Sequence, residues 1–464
     1  SKELAKELDE VGIAVKSGKP SSLDSNLRQH LINTREKLGK LRQSFPKPDN
    51  IEGFISLSRI LENIQDLSER LYTLQKYTLY DSSFKKRILT DTEYEKMISS
   101  QVVTSEIFID NLTLKSDTFR HSLRMGIAVL AGFMVAKLFK IGHGYWILLT
   151  IIVILKPAFS LTKKRNRDRI AGTLAGIIIG ITILFMTENN TVLLALLVLF
   201  MAASYSFMRT NYLVSVLFMT PYLVLFYHLL NPHDFKILLK DRVIDTLTGS
   251  AIAFLASSFL FPLWEREKIK SVMANMLIEV KEYFSVIAGA FSGKMTARSA
   301  QQVARKDALV ALANLSDAFN RMLSEPKNQQ KGVEMLHQFV VLNHMLTSYI
   351  ATLSYYVQMK TIPFESDEFI KVSEDIQQYF TNAIDYLNDE IVTQKTIATK
   401  DSLRTLNEQA DTMLQKRKQE LEQGLLDTST RRSLADLKSI VDQFNLIFNV
   451  AVDINKITQT LKID

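Results

Sequence analysis

At 464 residues the chain has room for two or three domains, and its 47% hydrophobic content averages an apolar middle with charged ends. A net charge of +7, with no basic stripe interleaved with aromatic platforms, argues against a nucleic-acid partner. The absence of cysteine excludes disulfides, thiolate metal sites and cysteine nucleophiles.

Residues 1–118 read as a cytoplasmic helical domain. Leu27, Leu31, Thr34, Leu38 and Leu41 recur at helical spacing. Phe54, Leu57, Leu61, Ile64, Leu67, Leu71 and Leu74 form a second stripe of the kind that packs a bundle core. Phe45–Asp49 is a loop, Asp81 closes the second helix, and a polar helix from about Asp91 leads towards the membrane.

Residues 119–264 read as an integral membrane domain of six helices. Its apolar segments are Arg120–Leu138, Tyr145–Leu155, Ile170–Met186, Thr191–Phe207, Tyr212–Leu230 and Val243–Leu263. The second is short and is expected to lengthen through Lys156, Pro157 and Ala158. Gly172, Gly176 and Gly180 form a doubled GxxxG, a face for close helix packing. Lys163–Arg169 is a dense basic loop, Asn231–Asp234 another loop, and Pro221 sits mid-segment. Putting both chain ends in the cytoplasm places the Lys163–Arg169 cluster, Arg120, Arg124 and Arg209 inside, as basic residues prefer. Lys137, Lys140, His143, Lys236, Lys240 and Arg242 then fall on or near the outer side.

Residues 265–464 read as a second cytoplasmic helical bundle. Phe339–Val357 is long enough for a seventh span, but it contains Asn343 and His344 and is expected to be a buried bundle helix. Leu434, Leu437, Ile440, Val441, Phe444, Ile447, Phe448 and Ala451 predict a core-facing stripe near the end of the chain. The fold class is therefore all-α: a six-helix membrane domain flanked by helical bundles.

Two membrane segments echo each other. Arg169, Thr173, Leu174 and Gly176 match Arg242, Thr246, Leu247 and Gly249 in register, and Gly180 matches Ala253. Three crossings apart, the segments would run in opposite directions, as a 3+3 inverted repeat requires. Coincidence between two Gly/Thr-rich helices is the open alternative. Arg169 and Arg242 stand near the entrances at opposite ends of the domain. One reading makes them the attractors of a carboxylate, since the guanidinium fork bonds both carboxylate oxygens. Thr173, Thr246 and Tyr145 then complete an anion path. The other reading makes them snorkelling membrane anchors. Asp245, flanking Arg242 with Asp241, is either a proton-coupling carboxyl or an ion-pair partner.

Gly144-Tyr145-Trp146, Lys156-Pro157, Thr162 with its basic residues, and Arg169-Ile170-Ala171-Gly172-Thr173-Leu174-Ala175-Gly176 resemble the signature of the fusaric-acid-resistance (FUSC) superfamily. The flanking helices resemble its YccS/YhfK-type bacterial inner-membrane branch. The resemblance implies a multi-pass inner-membrane protein with a transport role, often efflux of aromatic or organic acids, and relates it distantly to plant aluminium-activated malate channels. Members of that branch carry two membrane halves, whereas this chain shows one. Either a half precedes Ser1 or this member is reduced.

No HExxH, no histidine pair at ligand spacing, no Walker A motif and no nucleophile elbow are present, so neither an enzyme nor a metal or other cofactor is expected. The expected function is secondary export of small organic or aromatic carboxylates across the bacterial inner membrane. The alternatives are a passive anion channel gated by the cytoplasmic domains and a non-transporting scaffold. The expected partners are membrane lipid, a small organic anion and further copies of the chain in a homo-oligomer, a dimer.

Overall fold

The computed structural model describes residues 2–21, 27–44, 51–79, 105–139, 144–230, 235–294, 297–358, 367–389, 401–423 and 429–461. The loops at Phe45–Asp49 and Asn231–Asp234, the Asp81 terminus, the helix from Asp91, Lys140, His143 and the Lys236 side chain lie outside what is described. Every regular element among the described residues is a helix. Packing divides the chain into two compact units.

The first unit joins Ser1–Ser100, Met273–Ala313 and Gln338–Leu461. It contains α1 (Lys2–Ser17), α2 (Leu27–Ser44) and α3 (Ile51–Thr78), with parts of α11 (Arg266–Ala288), α12 (Arg298–Leu323) and α13 (Val333–Gln358). It closes with α14 (Asp367–Leu387), α15 (Asp401–Glu422) and α16 (Ser429–Thr460). Phe444 organises its core. That ring lies 5.2 Å from Phe369, 5.5 Å from Phe291 and 6.2 Å from Phe284, centre to centre. The stripe from Leu434 to Ala451 is buried throughout.

Two expectations meet different outcomes here. Along α13, Phe339, Asn343, Leu346, Ile350 and Leu353 are fully buried at helical spacing, and Asn343 donates to the Phe339 carbonyl (2.9 Å). One face is thus satisfied by the bundle, and α13 is not among the helices apolar enough to cross a membrane. The leucine stripe of α3 is buried only in part. Leu57, Leu67 and Leu74 are about half exposed, and Leu41 of α2 is too. Leu71 of that stripe is buried, in line with Gln75 and Thr78, and Thr78 accepts a bond from the Ser21 backbone (2.9 Å).

The second unit joins Gln101–Val272 and Asn314–His337. After α4 (Ser105–Asp110) come α5 (Asp117–Leu138), α6 (Tyr145–Ile154), α7 (Phe159–Met186), α8 (Asn190–Phe207), α9 (Tyr212–Leu230) and α10 (Phe235–Phe259). Helices α5, α7, α8 and α9 are long and apolar enough to cross a membrane. Helix α6 has ten residues, about 15 Å, roughly half a hydrocarbon core. Helix α10 has 25 residues but carries Arg242 and Asp245.

Several boundaries correct the sequence reading. Helix α6 does not continue through Lys156–Ala158. Leu155 is extended, and the Thr162 hydroxyl accepts from the Lys156 N–H (2.9 Å) and bonds its carbonyl (3.1 Å), fixing a turn before Pro157. The basic run Lys163–Arg169 is no loop but the first turns of α7, since Lys and Arg are good helix formers. Helix α10 likewise begins before Arg242 rather than after it.

The glycines of α7 decide how closely α9 approaches. A Cβ added at Gly172, Gly176 or Gly180 would stand 2.9, 2.6 or 3.1 Å from Val216, Thr220 or Val224. Pro221 has no N–H for the Leu217 carbonyl one turn earlier. That carbonyl lies against the bare Cα side of Gly176, 3.0 Å from where a Cβ would be. Gly249 of α10 repeats the contact on α6, with the Ile147 carbonyl and Thr150 each 2.9 Å from its absent Cβ.

The pairing is reciprocal. Helix α7 packs on α9 and α10 packs on α6, while α7 and α10 pack on each other. One apolar cluster joins Ala128 of α5, Ile147 and Ile151 of α6 and Ala256 of α10. The other joins Leu193 and Leu197 of α8, Leu225 of α9 and Ile183 of α7. Each cluster takes the first two helices of one triplet and the third helix of the other.

Candidate functional site

Helices α7 and α10 place the charged residues of the domain. They run antiparallel, in a register seen where the Phe159 and Phe254 rings meet at 5.9 Å and Asn166 donates to the Ser250 carbonyl (3.2 Å). Arg169 lies about 15 Å along α7 from Phe159, and Arg242 about 18 Å along α10 from Phe254. The two arginines therefore sit at nearly one level rather than at opposite entrances. Both are buried, at 2% and 5% exposure. Each lies within electrostatic reach of the other, and Tyr222 of α9 faces both.

Each guanidinium is held by soft contacts. Arg169 directs an Nη at the Met219 sulfur (3.5 Å). Arg242 stacks on Trp146, 4.7 Å from the ring centre, a favourable placement for a desolvated cation. Trp146 is braced edge-on by Tyr145 and Tyr227, both at 5.6 Å. Asp245 is fully buried one turn further along α10 and attracts Arg242 across that turn. Of the charged groups acting on Arg242, Arg169 repels it and Asp245 attracts it.

Thr173 and Thr246, at equivalent positions one turn past the two arginines, are both 2% exposed. Their hydroxyls, those of Thr150 and Ser250, and the Nε atoms of Arg169 and Arg242 are buried without a hydrogen-bond partner among the described residues. Burying donors unsatisfied costs about 1–3 kcal/mol each, more for charged groups. A cluster so rich in open donors is suited to an anion or to ordered water.

The other candidate residues fall outside this cluster. Tyr145 is 56% exposed at the start of α6 and meets Trp146 and Tyr227. Asp241 is half-buried. Gly172, Gly176 and Gly180 serve the α7–α9 contact described above. Trp146, read in the sequence only as part of the family signature, joins the site with Thr150, Ser250, Tyr222 and Tyr227, none of which was read as a site residue. Thr150 carried a signal: it meets Gly249 as Thr220 meets Gly176, so the echo in α7 and α10 extends to the helices they touch.

A second buried arginine group lies beside the end of α10. Arg124 of α5 is fully buried and donates to the carbonyls of Leu260 (2.8 Å), Pro157 (3.2 Å) and Phe261. Arg120 donates to Pro262 (2.9 Å), and Asp117 pairs with Lys268. The sequence marked these arginines only as flanking positives. They cap the carbonyls where α10 ends and Phe261 turns to positive φ (47°).

Residues 129–256 match the family model described as "Fusaric acid resistance protein-like". The chain is similar to inner membrane protein YccS of Escherichia coli, at 30% identity over 303 residues, covering 65% of this chain and 41% of that protein. It is 27% identical over 358 residues to an uncharacterized protein of Haemophilus influenzae, covering 76% of this chain and 48% of the relative. It is also 27% identical to YhfK of Escherichia coli over 176 residues, 38% of this chain and 25% of the relative. The chain thus spans less than half the length of each of these relatives.

Proposed function

Because this chain belongs, through residues 129–256, to the fusaric-acid-resistance-like family of membrane proteins, we propose that it moves small organic carboxylates across the bacterial inner membrane by a secondary mechanism. The observation that carries the proposal is the joint burial of Arg169 and Arg242, with open donors on both and on Thr173 and Thr246. A structural cation would be expected to spend its donors on carbonyls, as Arg124 spends one from each of its three nitrogens. This pair leaves donors over, in a region of low dielectric where an anion gains most from them.

The reciprocal packing supports a 3+3 inverted repeat, in which α5–α7 and α8–α10 are the two halves and the six helices form the membrane domain. In such folds the substrate site lies at the interface of the repeats near the midplane. On this reading Arg169 and Arg242, one from the third helix of each half, are the residues of that site. Asp245 is the carboxyl whose protonation would change the charge of the site, which suits coupling to a proton gradient. Both chain ends then face the cytoplasm, flanking helical domains and all, and the wider basic excess of α7 lies on the same side.

Flux of benzoate through the intact protein in proteoliposomes, with and without an imposed pH gradient, tests the reading. The expected result is gradient-driven flux that Arg242→Ala abolishes. Flux indifferent to the gradient would favour a channel. No flux of any organic anion would favour a scaffold.

A further inference from the structure

The connection between α12 and α13, residues 324–332, makes a polar junction with the segment leaving α10. Glu325 is 4% exposed. One carboxylate oxygen accepts from the Glu265 backbone N–H (2.9 Å), and Oε2 is buried with no hydrogen-bond partner among the described residues. Glu265 sits beside it, its carboxylate held through both oxygens by Arg321 at 2.7 and 3.1 Å. Arg321, a third exposed, thus bonds Glu265 directly and stands near the buried Glu325 carboxylate. Gln330 pins the turn by donating to the carbonyls of Leu323 (2.9 Å) and Glu325 (2.7 Å). Lys163 Nζ, at the start of α7, reaches the Ser324 carbonyl (3.3 Å). The same short connection thus touches the start of α7 and the exit of α10, the two helices that carry the buried arginines.

We propose that Glu325, with Glu265 and Arg321, forms a proton-operated latch that fastens residues 324–332 to the exit of α10 when Glu325 is protonated and releases them when it ionises. The charge balance gives the direction. With Glu325 neutral, the Glu265–Arg321 pair is self-sufficient. With Glu325 ionised, two carboxylates face the Arg321 guanidinium, and the buried second oxygen of Glu325 has no donor among the described residues. The groups that face it are Glu265 and Glu267 from the segment after α10, and Arg321 from α12 with Asp317 near it. Lys163 adds a positive charge from α7. Burial, with Glu265 next, raises the carboxyl from 4.5 to about 7, against the opposing pull of the Glu265 N–H and of Arg321. The closed state therefore holds its proton more tightly than the open state. Closure is most favoured below pH 4.5, weakens about tenfold per unit through the window up to about 7, and is weakest above it.

The chain contains two tryptophans, and Trp264 adjoins Glu265, with its ring 5.3 Å from Phe159. In the Trp146→Phe protein in lipid nanodiscs, Trp264 emission reports the junction between pH 5 and 9. The latch predicts a reversible transition with its midpoint between 4.5 and about 7 that Glu325→Gln abolishes, leaving the low-pH spectrum throughout. Glu265→Gln removes the neighbouring charge and frees Arg321 for Glu325, so it moves the midpoint down. A pH-independent spectrum, a transition that survives Glu325→Gln, or an upward shift in Glu265→Gln would each overturn the latch. The readout does not depend on transport.

Discussion

The guanidinium of Arg242 in α10 lies 4.7 Å from the ring centre of Trp146 in α6. The stack holds a cation in the protein interior without using up its hydrogen-bond donors. Replacing Trp146 with Leu should remove an interaction of about 0.5–2 kcal/mol. If the guanidinium binds the carboxylate, the apparent affinity for benzoate should fall roughly two- to thirtyfold. Arg242→Lys should do worse than Trp146→Leu, because it keeps the charge and loses the fork. Concentration-dependent uptake in proteoliposomes measures both.

Gly176 and Thr220 set the α7–α9 distance. Gly176→Leu places a Cβ 2.6 Å from the Thr220 Cβ, and at least about 1–3 kcal/mol should be lost as the helices separate. Gly126 of α5 has nothing within 4 Å of its absent Cβ, so Gly126→Leu should be tolerated. Thermal unfolding of the two variants in detergent compares them directly. Equal melting temperatures would remove the packing role of Gly176.

Both results bear on what the sequence could reveal. The apolar runs and the glycine spacing announced the membrane helices and their tight face, because length and period are local properties. The starts of α7 and α10 were not legible. Lys163–Arg169 and Lys240–Arg242 look like loop charges, yet lysine and arginine continue a helix easily and extend both elements past their apolar parts. The level of Arg169 relative to Arg242 depends on how far these antiparallel helices slide, and Phe159, Phe254, Asn166 and Ser250 fix that at a distance in sequence. The α3 stripe was legible only in part for a similar reason. Spacing marks an apolar face, but Leu71 is buried beside Gln75 and Thr78 while Leu57, Leu67 and Leu74 are not, and the Ser21 partner of Thr78 is distant in sequence.

Arg124 should be structural. Arg124→Leu strands the carbonyls of Leu260, Phe261 and Pro157 without their donor, at about 1–3 kcal/mol for each that water cannot reach. The melting temperature should fall and protease should cut near 260–266. Arg124→Lys, which keeps some donors, should lie between wild type and Leu. A melting temperature unchanged in Arg124→Leu would show that the capping is incidental.

Glu325 also makes stability pH-dependent. Its folded-state value of about 7 exceeds the ordinary 4.5, so the burden of ionising it in place is absent below pH 4.5, grows with pH, and is complete above about 7. Glu325→Gln should therefore raise the melting temperature at pH 8, with the gain shrinking towards pH 5. A gain that grows on acidification would have the wrong sign.

The most direct test of the buried arginine pair uses Trp146 itself. In the Trp264→Phe protein, Trp146 is the sole tryptophan and stacks on Arg242. Titration with benzoate should change its emission saturably. Arg169→Gln, which leaves the Arg242–Trp146 stack in place, should weaken that binding at least tenfold. A saturable response of equal affinity in wild type and Arg169→Gln, or none in either, would contradict the account.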